Sequence, residues 1–143
     1  MTAKRPLSKA DYPLAEKRPE IVHGRRGKDL QEVTLAAVLD DRVTMEDLRI
    51  TATALLQQAE IARDAGRATL AENFARAADL VDVPSETIFR VYELLRPGRA
   101  PSKAALTDAA RELRDTYGAS RMADFVDEAA EIYESRGLFK KRF

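Results

Sequence analysis

From Lys28 onward the apolar positions recur at helical spacing; before it they do not. Leu30, Val33, Leu35 and Val38–Leu39 form a short apolar segment. Thr44 precedes Met45, Glu46 and Asp47 in a pattern related to the Ser/Thr-x-x-Glu capping box, with Leu48 and Ile50 following. Thr51 or Thr53 can cap the next helix, whose apolar positions are Leu55, Leu56, Ala59 and Ala62. Gly66 is placed to end it in the left-handed conformation. Leu70, Phe74, Ala77, Ala78 and Val81 repeat as one helical face. Pro84 closes that segment and can open the next, with Ser85 as an alternative cap. Ile88, Val91, Tyr92 and Leu95 line this helix, and Arg96-Pro97-Gly98-Arg99 stops it. Ser102 caps a helix lined by Leu106, Ala109, Ala110, Leu113 and Tyr117 and ended by Gly118. A last helix carries Met122, Phe125, Val126, Ala129 and Tyr133, with Gly137 ending it. No segment alternates with period two. The pattern predicts an all-α fold: a compact helical bundle of about five main helices plus short ones, with antiparallel neighbours.

Residues 1–28 read differently. Pro6, Pro13 and Pro19 interrupt any helix, and Gly24 and Gly27 loosen the end. Tyr12, Leu14, Ile21 and Val22 sit among the charges, and a merely disordered arm needs no such anchors. Three regions are expected: an extended N-terminal arm over 1–28, a helical domain over 29–137 and a basic tail over 138–143.

Charge sharpens this division. The chain of 143 residues has zero formal net charge, yet residues 1–28 carry +5, the tail 136–143 carries +4, and the middle is left at −9. A negative body with two positive ends can attract its own arms or a partner's surface. Alanine is abundant, with five Phe, four Tyr and no Trp. An Ala-rich core buries little area, so a partner surface is expected to supply part of the stability.

Candidate chemistry is sparse. With no Cys there is no disulfide, thiol nucleophile or thiolate metal site, which suits a reducing cytosol. No apolar stretch approaches the roughly 20 residues of a membrane span, and the N-terminus lacks the apolar segment of a signal peptide. His23, the one histidine, lies in the broken arm, a poor place for a triad base or a metal site. Gly24-Arg-Arg-Gly-Lys28 lacks the spacing and context of a phosphate loop. Asp124, Asp127, Glu128 and Glu131, at helical spacing, read as a solvated face or a seat for basic groups before they read as a cation site. A helix-turn-helix over 44–65 would have a second helix with more acids than bases.

Together, several motifs resemble a known family. They are Asp11-Tyr-Pro-Leu-Ala15, Thr34-Leu-x-x-Val-Leu39, Asp47-Leu-Arg-Ile50, Leu55-x-x-Gln-Ala-x-Ile-Ala62, Ala71-x-Asn-Phe-x-Arg-Ala-Ala78, Val83-Pro84, Ile88-x-x-x-Tyr-x-x-Leu-Arg-Pro-x-Arg99, Phe125-Val-x-Glu-Ala-Ala130 and Tyr133. In this order and spacing the chain resembles the small (gamma) subunit of adenosylcobalamin-dependent diol and glycerol dehydratases. Asp124 stands where that family is expected to have a small residue.

The resemblance implies a helical subunit of a hetero-oligomer with large (alpha) and medium (beta) chains, a dimer of heterotrimers. Its reaction is radical dehydration of 1,2-propanediol or glycerol to an aldehyde, a hydro-lyase activity. Adenosylcobalamin and a metal ion, potassium or calcium, are implied on the other subunits. This chain is expected to hold no catalytic, cofactor-binding or metal-binding residue, and to bind neither nucleic acid nor membrane. A cytoplasmic location is implied, with packaging in a bacterial microcompartment allowed. The reading is of a non-catalytic subunit that docks on and stabilises the large chain, with Arg49, Gln58, Asn73, Arg76, Arg96 and Arg99 expected at the contact. Guanidiniums suit interfaces by offering forked donors; intrachain caps and surface charges are the alternative role for each. The alternative function is a small helical adaptor or nucleic-acid-binding regulator using the basic arm.

Overall fold

Three helices begin where a hydroxyl can accept an orphan backbone N–H. Thr34 accepts from Ala37, Thr51 from Ala54 and Ser102 from Ala105, at 3.2, 3.1 and 3.3 Å. Thr44 and Asp47 form a capping box. Gly66, Gly118 and Gly137 follow helix ends with positive φ, as the sequence predicts.

The computed structural model describes residues 5–139. Its helices are α1 (Leu14–Lys17), α2 (Leu35–Leu39), α3 (Met45–Leu48), α4 (Ala52–Asp64), α5 (Ala68–Leu80), α6 (Ser85–Leu95), α7 (Lys103–Asp115) and α8 (Ser120–Ser135). The last five are the main helices. The only β pairing among the described residues is an isolated bridge between His23 and Asp29, so the all-α expectation holds. Lys140, Lys141 and Arg142 of the expected basic tail lie outside the described residues. The chain divides into two compact units, Met1–Ala78 and Asp79–Phe143.

In the first unit the N-terminal segment is not simply extended. It makes a 3-10 turn at Lys9–Asp11, then α1, then a second 3-10 turn at Pro19–Ile21. Pro13 and Pro19 stand at the starts of these turns, where a missing N–H costs nothing. Leu7 and Leu14 are buried against Ile61 of α4, with Ile21 and Val22 beside them. Polar groups of α4 hold the segment at three points. Glu60 accepts the Leu7 N–H and Asp64 the Lys9 N–H, each at 2.9 Å. The Gln57 side-chain amide donates to the Ile21 carbonyl at 3.2 Å.

The α5 seam differs from the expected stripe. Ala71, Ala75 and Ala78 are buried, Ala71 packs with Ala59 and Ala62 of α4, and Phe74 is only partly covered. Leu70 stays exposed. A bulky residue on the seam would hold the helices apart, so the buried stripe falls on the methyl groups.

In the second unit Leu106, Leu113 and Val126 are the largest fully buried side chains, surrounded by Ala109, Ala110, Ala119, Ala123 and Ala130. The α7 face matches the predicted one. On α6, Val91 and Thr87 are buried while Tyr92, expected inside, is exposed. On α8 the buried line is Ala123, Val126 and Ala130, and Phe125 sits at its margin. Helix α8 starts at Ala119, which has no side-chain acceptor. Asp79 substitutes for one, accepting the Arg121 N–H at 2.8 Å and the Arg121 guanidinium at 2.9 Å. Among the described residues alanine makes up more than half of the buried apolar set, and no aromatic side chain is buried.

Candidate subunit-docking surface

All five residues of helix α2 are apolar, and so short a helix cannot bury them all. Ala37 is turned inward, and Leu35 and Leu39 are each 75% exposed. The chain then turns through Asp41 at φ 56, a left-handed position that Asp tolerates better than most residues. The Ala37 carbonyl accepts from both Arg42 and Val43, and Val43 is buried. Met45, 76% exposed, Leu48 and Ile50 then continue the outward apolar surface. The scaffold is made of small residues and backbone bonds, which leaves the large side chains facing out. Large exposed apolar side chains this numerous over a short stretch are candidates for an interaction surface.

A charged clamp fixes α3. The Arg26 guanidinium donates to Asp47 Oδ1 at 2.7 Å and to Oδ2 more closely still, and the Thr44 N–H donates to Oδ2 at 2.9 Å. The Asp47 side chain has no accessible surface. The Arg26 hydrogen bonds draw its carboxyl down to about 2, against the opposing effect of burial. Arg25 pairs with Glu46 at 3.0 Å. Gly24 lies under the end of this helix, where an added Cβ would stand 2.6 Å from the Asp47 carbonyl oxygen. The Gly24–Lys28 loop lays this pair of arginines on two acids of its own chain.

The same holds further up the arm. Arg5 and Arg18 both reach Asp11, at 2.8 and 3.3 Å. The Ser8 backbone N–H, with help from both guanidiniums, keeps the Asp11 carboxyl below the usual range although burial opposes it. The Asp11 pairs lie within the arm itself, whereas Arg25 and Arg26 join the positive arm to acids of the body within the first unit.

The six residues expected at a contact have distinct settings. In the first unit, Arg49 pairs with Glu46 at 3.2 Å, and Asn73 accepts from Arg76 at 2.6 Å on α5. Gln58 lines a cleft of about 630 Å³ with Tyr12, Ile50 and Phe74, and a second of about 460 Å³ that again includes Tyr12 and Phe74. Tyr12 is exposed. In the second unit, Arg96 and Arg99 share one turn: the Arg99 N–H donates to the Arg96 carbonyl at 3.0 Å and Gly98 has φ 78. With Pro97 before Gly98, this is the type II pattern. Arg96 also pairs with Glu93 at 2.9 Å. The Tyr133 hydroxyl of α8 donates to the Leu95 carbonyl just before the turn, joining two motifs that stand far apart in sequence.

Three of the four acids of the α8 set, Asp124, Asp127 and Glu131, pair with cations of the same unit. Arg114 bonds Asp124 and Asp127, each at 2.9 Å, and Lys103 bonds Glu131 at 2.7 Å. Asp124 thus has an intrachain partner. Among the described residues no group of three or more His, Asp or Glu side chains is arranged to hold a metal ion, and His23 Nδ1 faces Asp29 at 2.9 Å. No described helix is long and apolar enough to cross a membrane. Sequence reasoning missed Leu35, Leu39, Met45 and Leu48 as surface residues. The available signal was an apolar run longer on the helix circumference than a five-residue helix can bury.

Residues 7–140 match the family described as dehydratase small subunit. The chain is 48% identical over 130 residues to the propanediol dehydratase small subunit of Citrobacter freundii, covering 91% of this chain and 75% of that protein. It is 47% identical over 131 residues to the protein of the same name from Salmonella typhimurium, covering 92% and 75%. An outward apolar surface on an alanine-cored helical chain, with these matches along nearly its whole length, leads to one conclusion: the chain belongs to the dehydratase small-subunit family.

Proposed function

We propose that this chain is the small subunit of a coenzyme B12-dependent diol dehydratase, docked on the large subunit in a complex that also holds a medium subunit. The observation that carries this is the outward placement of Leu35, Leu39, Met45, Leu48 and Ile50 on a unit whose interior is filled by small residues. Burying large side chains of this kind is worth roughly 1.5–3 kcal/mol each, and only a partner can realise it here. The reaction served is dehydration of 1,2-propanediol or glycerol to an aldehyde.

Adenosylcobalamin supplies the radical chemistry in such an enzyme. Among the described residues no group of three or more His, Asp or Glu side chains is arranged to hold a metal ion, and the one histidine stands alone with Asp29. Both groups are assigned to the other subunits, and Arg49, Gln58, Asn73, Arg76, Arg96 and Arg99 remain the polar contacts of the docked state. The arm over 1–28 is a candidate address for enclosure in a microcompartment; unchanged partitioning after its deletion would refute that role. The nucleic-acid reading is weakened because Arg5, Arg18, Arg25 and Arg26 have acids of their own.

The test is co-expression with the large and medium subunits of a diol dehydratase, followed by size exclusion and assay. Co-elution with loss of activity on omission is expected. A chain that elutes alone while the other two keep full activity would refute the proposal.

A further inference from the structure

Helix α6 presents a second apolar face, in the other unit. Its inner side is Val91, with Ile88, Leu94 and Leu95 packed on the core. On its outer side Phe89 and Tyr92, one turn apart, are 68% and 61% exposed. Two exposed rings in a row stand out in a unit that buries no aromatic side chain. The stripe runs on into the turn that carries Arg96 and Arg99.

The charges beside this stripe are nearly all matched. Between residues 90 and 103, Arg90 pairs with Glu112 at 2.7 Å, Arg96 with Glu93, and Lys103 with Glu131 and Glu134 at 2.7 Å each. Of the cations in that span, Arg99 alone has no carboxylate partner among the described residues, and its backbone is fixed by the turn. The uncompensated charge at the edge of the aromatic stripe is therefore one guanidinium, carried on a backbone fixed by the turn. Its complement is a carboxylate, and the complement of the stripe is an apolar surface.

We infer that Phe89, Tyr92 and Arg99 form a docking face of their own, which takes an apolar patch bearing an Asp or Glu on another dehydratase subunit. This deepens the subunit reading above and rests on it. The two rings are the anchors, since aromatic side chains and arginine dominate interface energetics. The guanidinium sets register through a paired, forked bond to the carboxylate. The face is separate in sequence from α2 and α3.

The experiment uses the full chain with the purified large and medium subunits, reading the dissociation constant at low and high salt. The variants are Phe89→Ser/Tyr92→Ser and Arg99→Gln; circular dichroism and melting show whether each is folded. Wild-type binding with about tenfold or greater weakening in the ring variant is expected. In Arg99→Gln, weaker binding with a smaller salt dependence is expected. Arg99 is exposed, so that variant carries the test even if the ring variant fails to fold. Wild-type binding matched by both variants, with unchanged salt dependence, would overturn this inference and leave the subunit reading intact. No binding by the wild-type chain would overturn both.

Discussion

Arg26 grips both carboxylate oxygens of Asp47, a side chain wholly removed from solvent. The pair joins the N-terminal segment to the helix that displays Met45 and Leu48. Its sign with pH is set by the direction of the Asp47 shift. The folded carboxyl titrates at about 2 against an ordinary 3.8. Its contribution is therefore fully present above the ordinary value and is lost as pH falls from there through about 2. Melting curves across that window should show a loss of stability that Asp47→Asn does not share. At neutral pH the variant should melt roughly 5–10 °C lower, because Arg26 loses its charged partner.

Gly24 makes a steric prediction at the same place. A Cβ there meets backbone, the Asp47 carbonyl oxygen, not a flexible side-chain end. Gly24→Ala should cost about 1–3 kcal/mol in a urea titration. Gly27, at φ 82 with open space around it, should lose only about 1 kcal/mol on the same change, from backbone strain alone.

The outward leucines of α2 separate stability from association. Leu35→Ser/Leu39→Ser should change the unfolding free energy of the isolated chain by no more than about 0.5 kcal/mol per site. It should weaken binding to the large subunit by about 2 kcal/mol or more. Urea titration and isothermal calorimetry read the two effects independently. Equal loss in both would mean that these residues serve the fold.

Tyr133→Phe removes one hydroxyl and with it the bond to the Leu95 carbonyl. A stability loss of about 1 kcal/mol is expected. Faster amide exchange at the end of α6, with the middle of α7 unchanged, would locate the effect at the turn.

Local chemistry made much of this fold legible. Thr34, Thr51 and Ser102 announce helix starts, and Gly66 and Gly118 announce ends, because each acts on backbone groups a few residues away. What was not legible is which part of a hydrophobic stripe goes inside. Tyr92 and Val91 are neighbours in one apolar pattern; Val91 is buried and Tyr92 is not. Periodicity marks positions that avoid water in the finished assembly, and on the proposed subunit reading part of that burial belongs to a partner. Likewise the partners of Arg25 and Arg26 in the Gly24–Lys28 loop were not legible, because Glu46 and Asp47 lie about twenty residues on. Of the six expected contacts, Arg96 and Arg99 could be paired from the Pro-Gly turn between them. Tyr133's role required tertiary structure, since its partner is a carbonyl.

The alanine-filled interior has a consequence for abundance. A fold that keeps its large apolar side chains outside draws stability from whatever covers them, by mass action. A partner present at a hundred times its dissociation constant adds about 2.7 kcal/mol to such a chain. If the proposed docking holds, copies without a partner would unfold more often and meet proteases, while assembled copies would persist. The thin core would then act as a counting device, tying the amount of this subunit to the amount of the chain it serves.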